Sequence, residues 1–125
     1  MDFIIGGAYQ GKLDFAKSKY SLQDEEIFNC SENGDIVFGK RCINGLQEYT
    51  LYCVRNGTDA LEVFKTHKDR WKNCILICED IFCGVVPLGK DMRDWRDMTG
   101  KLCAYLSSEA ESVTRIFCGL EQKLK

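Results

Sequence analysis

The fold is decided by the stretch IIGGAYQGKLDFAK, residues 4–17. It begins as a short apolar run, continues as a glycine-rich segment that ends in Gly-Lys, and then takes on a helical pattern of apolar residues. We therefore predict a short buried strand over residues 2–5, a turn imposed by the glycines, and a helix over residues 12–20.

The glycine-rich segment has the spacing of a phosphate-binding loop, because four residues separate Gly6 from Gly11 and Lys12 follows at once. In such a loop, backbone N–H groups and a helix N-terminus converge on phosphate oxygens while the lysine reaches the outer phosphates. The pattern also fits a turn that only lets a strand and a helix pack closely. The candidate nucleotide-binding residues are Gly6, Gly7, Ala8, Tyr9, Gln10, Gly11, Lys12 and Leu13.

Leu13 departs from this pattern, because a serine or threonine hydroxyl at that position normally ligates Mg²⁺. A leucine side chain offers no ligand. Phosphate binding would survive on backbone N–H groups and Lys12, whereas metal-assisted phosphoryl transfer would need a substitute such as Asp14, Glu79 or Asp80. We therefore expect a nucleotide as the ligand, allow for Mg²⁺, and predict no dedicated metal site.

The rest of the chain alternates strand and helix patterns, which favours an α/β fold with a mainly parallel sheet. The run CILIC, residues 74–78, ends in Glu79-Asp80 and is typical of a central parallel strand whose carboxyl end faces a ligand. Further strands are expected at residues 26–30 and 113–118, with an edge strand after Gly119. Helices are expected over about 43–56, from an N-cap at Thr58 to about 71, and over about 92–112.

Composition limits the classes of function. With 125 residues, 29% charged, 45% hydrophobic and one proline, the chain suits a single globular domain spanning residues 1–125. A net charge of −2 disfavours nucleic acid as a partner. No apolar run approaches the roughly 20 residues that span a bilayer, and no signal-peptide pattern is present. We expect a cytoplasmic protein without a membrane partner.

The eight cysteines are scattered without a CxxC pair, and most lie within apolar runs. This distribution favours small buried hydrophobic residues in a reducing compartment over zinc ligands or disulfides.

The opening loop and residues 79–125 together resemble the CobU family, the adenosylcobinamide kinase / adenosylcobinamide-phosphate guanylyltransferases of cobalamin biosynthesis. The resemblance covers residues 1 to about 20 and about 74 to 125. It implies a single P-loop NTPase-like (RecA-like) α/β domain, with a mainly parallel sheet flanked by helices, that assembles into a homotrimer. The family phosphorylates adenosylcobinamide with ATP or GTP and then transfers GMP through a guanylylated histidine, so nucleotide and corrinoid are the expected partners.

Several residues carry this resemblance. Those that match the family's phosphate loop are Gly6, Gly7, Ala8, Gly11 and Lys12. Those that match its second motif and its arginine-rich helix start are Asp80, Gly84, Pro87, Arg93, Arg96, Asp97 and Gly100. The resemblance implies catalytic roles for Lys12, Glu79 and Asp80, with the acids acting on metal or on the substrate hydroxyl. It places Gly84, Pro87, Arg93 and Arg96 at a substrate or subunit contact, although each arginine alone also fits a solvated helix face.

Two features of the family are not evident between residues 30 and 73: a histidine-bearing segment, and a strand that ends in an acid before a long helix. The single histidine, His67, lies just before Trp71 and fits a packing role better than covalent catalysis. We therefore expect a nucleotide-binding protein that retains cobinamide kinase activity without guanylyl transfer. The alternatives are a catalytically degenerate nucleotide-sensing or assembly subunit, and an α/β domain whose loop binds only stray phosphate.

Overall fold

A six-stranded sheet forms the centre of the part of the chain that the computed structural model describes, residues 1–81 and 89–125. The strands are β1 (Asp2–Gly6), β2 (Ile27–Asn29), β3 (Cys42–Asn44), β4 (Ile75–Glu79), β5 (Ser112–Phe117) and β6 (Leu120–Lys123). Their order in the sheet is β2-β3-β4-β1-β5-β6. The first five strands are parallel and β6 runs antiparallel to β5. The predicted mainly parallel α/β architecture is confirmed.

The helices cover the two faces of the sheet because side chains of a strand alternate between its faces. The helices are α1 (Lys12–Tyr20), α2 (Leu46–Asn56), α3 (Ala60–Thr66), α4 (Lys68–Trp71) and α5 (Lys90–Glu109), and Asp24–Glu26 form a 3₁₀ turn. On one face, α1 packs on a core that contains Ile4 and Ile77. On the other, α2 to α5 pack on Phe3 and Leu76. Strand β4 is therefore buried on both faces, as its apolar run predicts. No helix among the described residues is long and apolar enough to cross a membrane.

Several element boundaries differ from the sequence prediction, and the helix predicted to run to about residue 71 is two helices, α3 and α4, that meet at His67. Ile43 belongs to β3, a three-residue strand that was assigned to a helix, and α2 begins only at Leu46. The N-cap of α3 is Asp59 rather than Thr58, because the Asp59 carboxylate accepts a hydrogen bond from the N–H of Leu61 at 3.0 Å. Helix α5 ends at Glu109, so residue 112 already belongs to β5.

The cysteines behave largely as the sequence predicts. Those that are buried are Cys42, Cys53, Cys74, Cys78 and Cys103. Burial raises the pKa of Cys42 to about 12, so its thiol stays protonated at neutral pH. Cys30 is half-buried and Cys118 is exposed, whereas Cys83 lies outside the described residues.

Gly6 is required where β1 passes β5. A Cβ atom at this position would lie 2.5 Å from the backbone oxygen of Ile116, a contact that neither backbone can relieve without moving.

We expect Gly6→Ala to lower the free energy of unfolding by about 1–3 kcal/mol through overpacking, measured by urea denaturation. The matched control is Gly100→Ala in α5, where nothing lies within 4 Å of the new methyl group. This control should be stabilising by up to about 1 kcal/mol, and equal effects of the two substitutions would contradict the prediction.

Candidate nucleotide-binding site

The glycine-rich loop lies at the carboxyl end of β1, in the middle of the sheet, and leads directly into α1. Two of its residues adopt left-handed backbone conformations, Tyr9 with φ 58° and Gly11 with φ 90°. Gly11 is also the N-cap of α1, and no side chain caps this helix. Tyr9 is fully exposed at the tip of the loop. A non-glycine residue held at positive φ is an uncommon and strained feature that clusters at functional sites.

The backbone N–H groups are the main hydrogen-bond donors of this loop. Within the described residues, the N–H groups from Gly7 to Leu13 donate no hydrogen bond to the protein. The first intrahelical bond of α1 runs from the N–H of Phe15 to the carbonyl of Gly11 at 2.9 Å. A run of unused donors that ends at a helix N-terminus can bind phosphate oxygens.

Lys12 lies over the loop that precedes it. Its Nζ donates a hydrogen bond to the carbonyl of Gly7 at 2.6 Å. Burial lowers the pKa of the Lys12 ammonium, and the negative charges of Glu79 and Asp80 partly offset this effect. The ammonium group is therefore close enough to the acidic end of β4 to interact with it, as expected for neighbouring parallel strands in which Gly6 pairs with Glu79.

Gln10 fixes the other side of the loop to the turn between β5 and β6. Its side-chain Oε1 accepts a hydrogen bond from the N–H of Cys118 at 2.5 Å, and its backbone oxygen accepts one from Gly119 at 3.0 Å. Its Nε2 donates to the carbonyl of Ala8 at 3.3 Å. Gln10 was predicted as a ligand-binding residue, yet its carboxamide holds the loop in place.

A pocket of about 260 Å³ lies between the loop and the junction of β3 and α2. One wall is formed by loop and α1 residues, including Lys12 and Leu13. The other wall is formed by Asn44, Gly45 and Gln47, which the sequence analysis did not single out. The sequence feature that could have identified this wall is the Asn44-Gly45 pair, which follows a short apolar segment and marks the carboxyl end of β3.

A larger cavity, of about 540 Å³, lies elsewhere, between α2, α3 and α5. Its lining includes Thr58, Asp59, Asp97 and Met98, and none of the predicted catalytic or nucleotide-binding residues. The pocket beside Lys12 is therefore the one that matches the predicted chemistry.

Two of the four predicted substrate or interface residues belong to the part of the chain that the structure describes. Gly84 and Pro87 lie outside the described residues. Arg93 is exposed and Arg96 half-buried in the first two turns of α5, and neither lines the pocket beside Lys12. Their assignment remains a prediction.

His67 lies between α3 and α4, ahead of the amino end of β4, whereas the glycine-rich loop follows the carboxyl end of β1. Its Nδ1 is 2.8 Å from the carbonyl of Val63, and its ring stacks on Phe38 with centroids 5.4 Å apart. The half-buried, stacked ring has the environment of a packing histidine.

The described residues contain no group of three or more His, Cys, Asp and Glu side chains that could hold a metal ion. Mg²⁺ nevertheless commonly binds through one or two carboxylates together with substrate phosphates. Glu79 and Asp80, which act electrostatically on Lys12, fit that mode of binding. Leu13 does not, because its side chain packs against the apolar core beneath α1.

Residues 42–124, about two thirds of the chain, match the family described as cobinamide kinase / cobinamide phosphate guanyltransferase. The chain belongs to the CobU family. The six-stranded, mostly parallel sheet agrees with the P-loop NTPase-like fold of this family. CobU proteins act on cobinamide and use nucleotide substrates, which supports a kinase/guanyltransferase-like role in cobalamin biosynthesis. No curated protein matches the chain.

The range of the match changes one conclusion of the sequence analysis. It begins at Cys42, the first residue of β3, and so includes residues 42–73, in which no family motif was found. The strand that precedes a long helix is present as β3 and α2, but it ends in Asn44 where the family pattern has an acid. The match does not include the glycine-rich loop, so the assignment of the loop depends on its geometry.

Lys12 gives the stability of the protein a pH dependence of known sign. Because burial holds its pKa in the folded protein below 10.5, the unfolded chain binds more protons between the two pKa values. The free energy of unfolding of the wild-type protein should therefore rise relative to that of Lys12→Met as the pH increases through this window towards 10.5. Urea denaturation of both proteins from neutral pH to pH 10.5 measures the difference. A difference that stays constant or falls would contradict the prediction.

Proposed function

We propose that this CobU protein binds ATP or GTP through its glycine-rich loop and phosphorylates the hydroxyl group of a cobinamide substrate. The observation that carries the proposal is the run of backbone N–H groups from Gly7 to Leu13 that donate to no other described residue, beside the half-buried ammonium group of Lys12. Family membership supports the substrate class, because the family acts on cobinamide with nucleotides.

In this proposal the loop N–H groups and Lys12 bind the β- and γ-phosphates. Backbone donors are fixed by the fold, so they stabilise charge on the transferred phosphoryl group without reorganising. The bound phosphates then replace the Gly7 carbonyl as partner of the ammonium group. Mg²⁺, when bound with the nucleotide, would be held by Glu79 or Asp80 and would neutralise phosphate charge. The other carboxylate is available to accept the proton of the substrate hydroxyl.

Guanylyl transfer through a covalent histidine is not part of the proposal. His67 is the only histidine of the chain. Its ring is engaged by Phe38 and the Val63 carbonyl ahead of the amino end of β4, away from the loop that follows β1. In this proposal His67 therefore takes no part in catalysis.

The second candidate is a nucleotide-sensing or assembly subunit that has lost turnover. It is favoured by two positions in the pocket that carry no metal-ligating carboxylate or hydroxyl: Leu13, which packs into the core, and Asn44 at the end of β3. The family resemblance suggests a homotrimer for either candidate. Exposed apolar side chains near the β6 edge, Phe117, Leu120 and Leu124, are compatible with a subunit contact. A monomeric mass in light scattering would overturn the oligomer.

Nucleotide binding is tested by calorimetric titration with ATP and GTP, with and without Mg²⁺. Lys12→Ala should weaken binding by at least about tenfold, because it removes a charge-assisted hydrogen bond to phosphate. Lys72→Ala, which changes an exposed lysine beyond α4, is the control and should bind as wild type does. Equal binding by all three proteins, or no binding by wild type, would overturn the proposed site.

Kinase activity is tested by transfer of labelled phosphate from ATP to adenosylcobinamide, comparing wild type with Leu13→Ser. The serine hydroxyl restores the usual Mg²⁺ ligand, so a kinase should gain rate and a stronger dependence on Mg²⁺. Background rates for both proteins at saturating nucleotide and Mg²⁺ would exclude the kinase and favour the sensing or assembly subunit.

A further inference from the structure

Gln47 links the acidic end of β4 to two helices. It lies in the first turn of α2, and its Oε1 accepts a hydrogen bond from the backbone N–H of Glu79 at 2.9 Å. Its backbone oxygen accepts one from the indole Nε1 of Trp95 in α5 at 2.8 Å. One residue therefore contacts both the strand that carries the predicted acids and the helix that follows them.

A buried pair of hydroxyl groups extends this link. The side chains of Thr50 and Thr99 are fully buried, with Oγ1 atoms 2.6 Å apart. Thr99 Oγ1 donates to the backbone oxygen of Trp95 at 2.7 Å, and Thr50 Oγ1 lies 3.0 Å from the backbone oxygen of Gln47. Buried polar groups that are fully hydrogen-bonded make a rigid, specific arrangement. The first turn of α2 is thus held firmly against α5.

The orientation of the Gln47 carboxamide follows from its partner. A backbone N–H can only donate, so the atom that faces Glu79 must be the carbonyl oxygen and the NH₂ group must point the other way. Gln47 lines the pocket beside Lys12. Among the described residues, its Nε2 has no acceptor.

We propose that Gln47 is a positioning residue of the nucleotide site: it fixes the Glu79–Asp80 end of β4 beside Lys12, and its NH₂ group donates to a phosphate oxygen of the bound nucleotide. The inference rests on the proposed nucleotide-binding function and names a residue of that site. A neutral carboxamide suits this place because the surroundings are already acidic. The pKa of Glu48, next to it, is raised by burial and by the charges of Glu32 and Glu79.

Two substitutions of Gln47 separate its contact with β4 from its contact with the nucleotide. Gln47→Glu keeps an oxygen that can accept from Glu79 but replaces the donor by a negative charge. Gln47→Leu removes both the acceptor and the donor. Gln122→Leu, on the exposed edge strand β6, is the matched control for the loss of a glutamine side chain.

The positioning half is tested without any nucleotide, by amide hydrogen exchange measured by NMR. The Glu79 N–H should exchange about tenfold faster in Gln47→Leu, because its hydrogen bond is lost. It should remain protected in Gln47→Glu and in Gln122→Leu. Unchanged exchange at Glu79 in Gln47→Leu would overturn this half of the proposal.

The donor half is tested by titration with ATP and with AMP, which lacks the outer phosphates. Gln47→Glu should weaken ATP binding by about tenfold or more, with a much smaller effect on AMP. Unchanged ATP binding in this variant would overturn the donor assignment, because a carboxylate in place of the NH₂ group would then face no phosphate oxygen. If wild type binds no ATP, the proposed function itself fails, whereas the exchange experiment still decides whether Gln47 positions β4.

Discussion

The close approach of β1 and β5 at Gly6 is the constraint on which the rest of the site depends. The backbone of Ile116 occupies the space that any side chain at Gly6 would need. On the other side, the carbonyl of Gly6 accepts a hydrogen bond from the N–H of Asp80 at 2.7 Å. The chain therefore leaves the sheet at a fixed point, between the acidic end of β4 and the end of β5, and the glycine-rich loop begins there.

The electrostatics of the site follow from this placement. The pKa of Lys12 is lowered by burial and only partly restored by the charges of Glu79 and Asp80, so the ammonium group is incompletely compensated by the protein's own carboxylates. Phosphate oxygens would supply the missing negative charge. The Lys12 ammonium group, whose burial is unfavourable for folding, would thus be the group that gains most from a bound phosphate. Such a loss of stability at a residue that serves function is common at functional sites.

The sequence predicted the features that local patterns encode. The apolar run before Glu79 identified the central strand, and the glycine spacing identified the loop and the start of α1 at Lys12. It did not predict β3, because Ile43 continues the helical spacing of the buried residues of α2, nor the cap at Asp59, since Thr58 has an equally suitable side chain. The contact between Gln47 and Glu79 could not be predicted from the sequence, because the two residues are 32 positions apart and only the sheet brings them together.

The two hydrogen bonds from the β5–β6 turn to Gln10 have a consequence for the order of assembly. They join residues at least 108 positions apart in the chain, from the loop after the first strand to the last hairpin. Contacts of such long separation carry a large loop-closure cost and form late in folding. The glycine-rich loop therefore acquires its final shape only when the C-terminal hairpin has docked. A chain that ends before Cys118 would lack both of these donors, so its loop would lose the support that gives it a fixed shape.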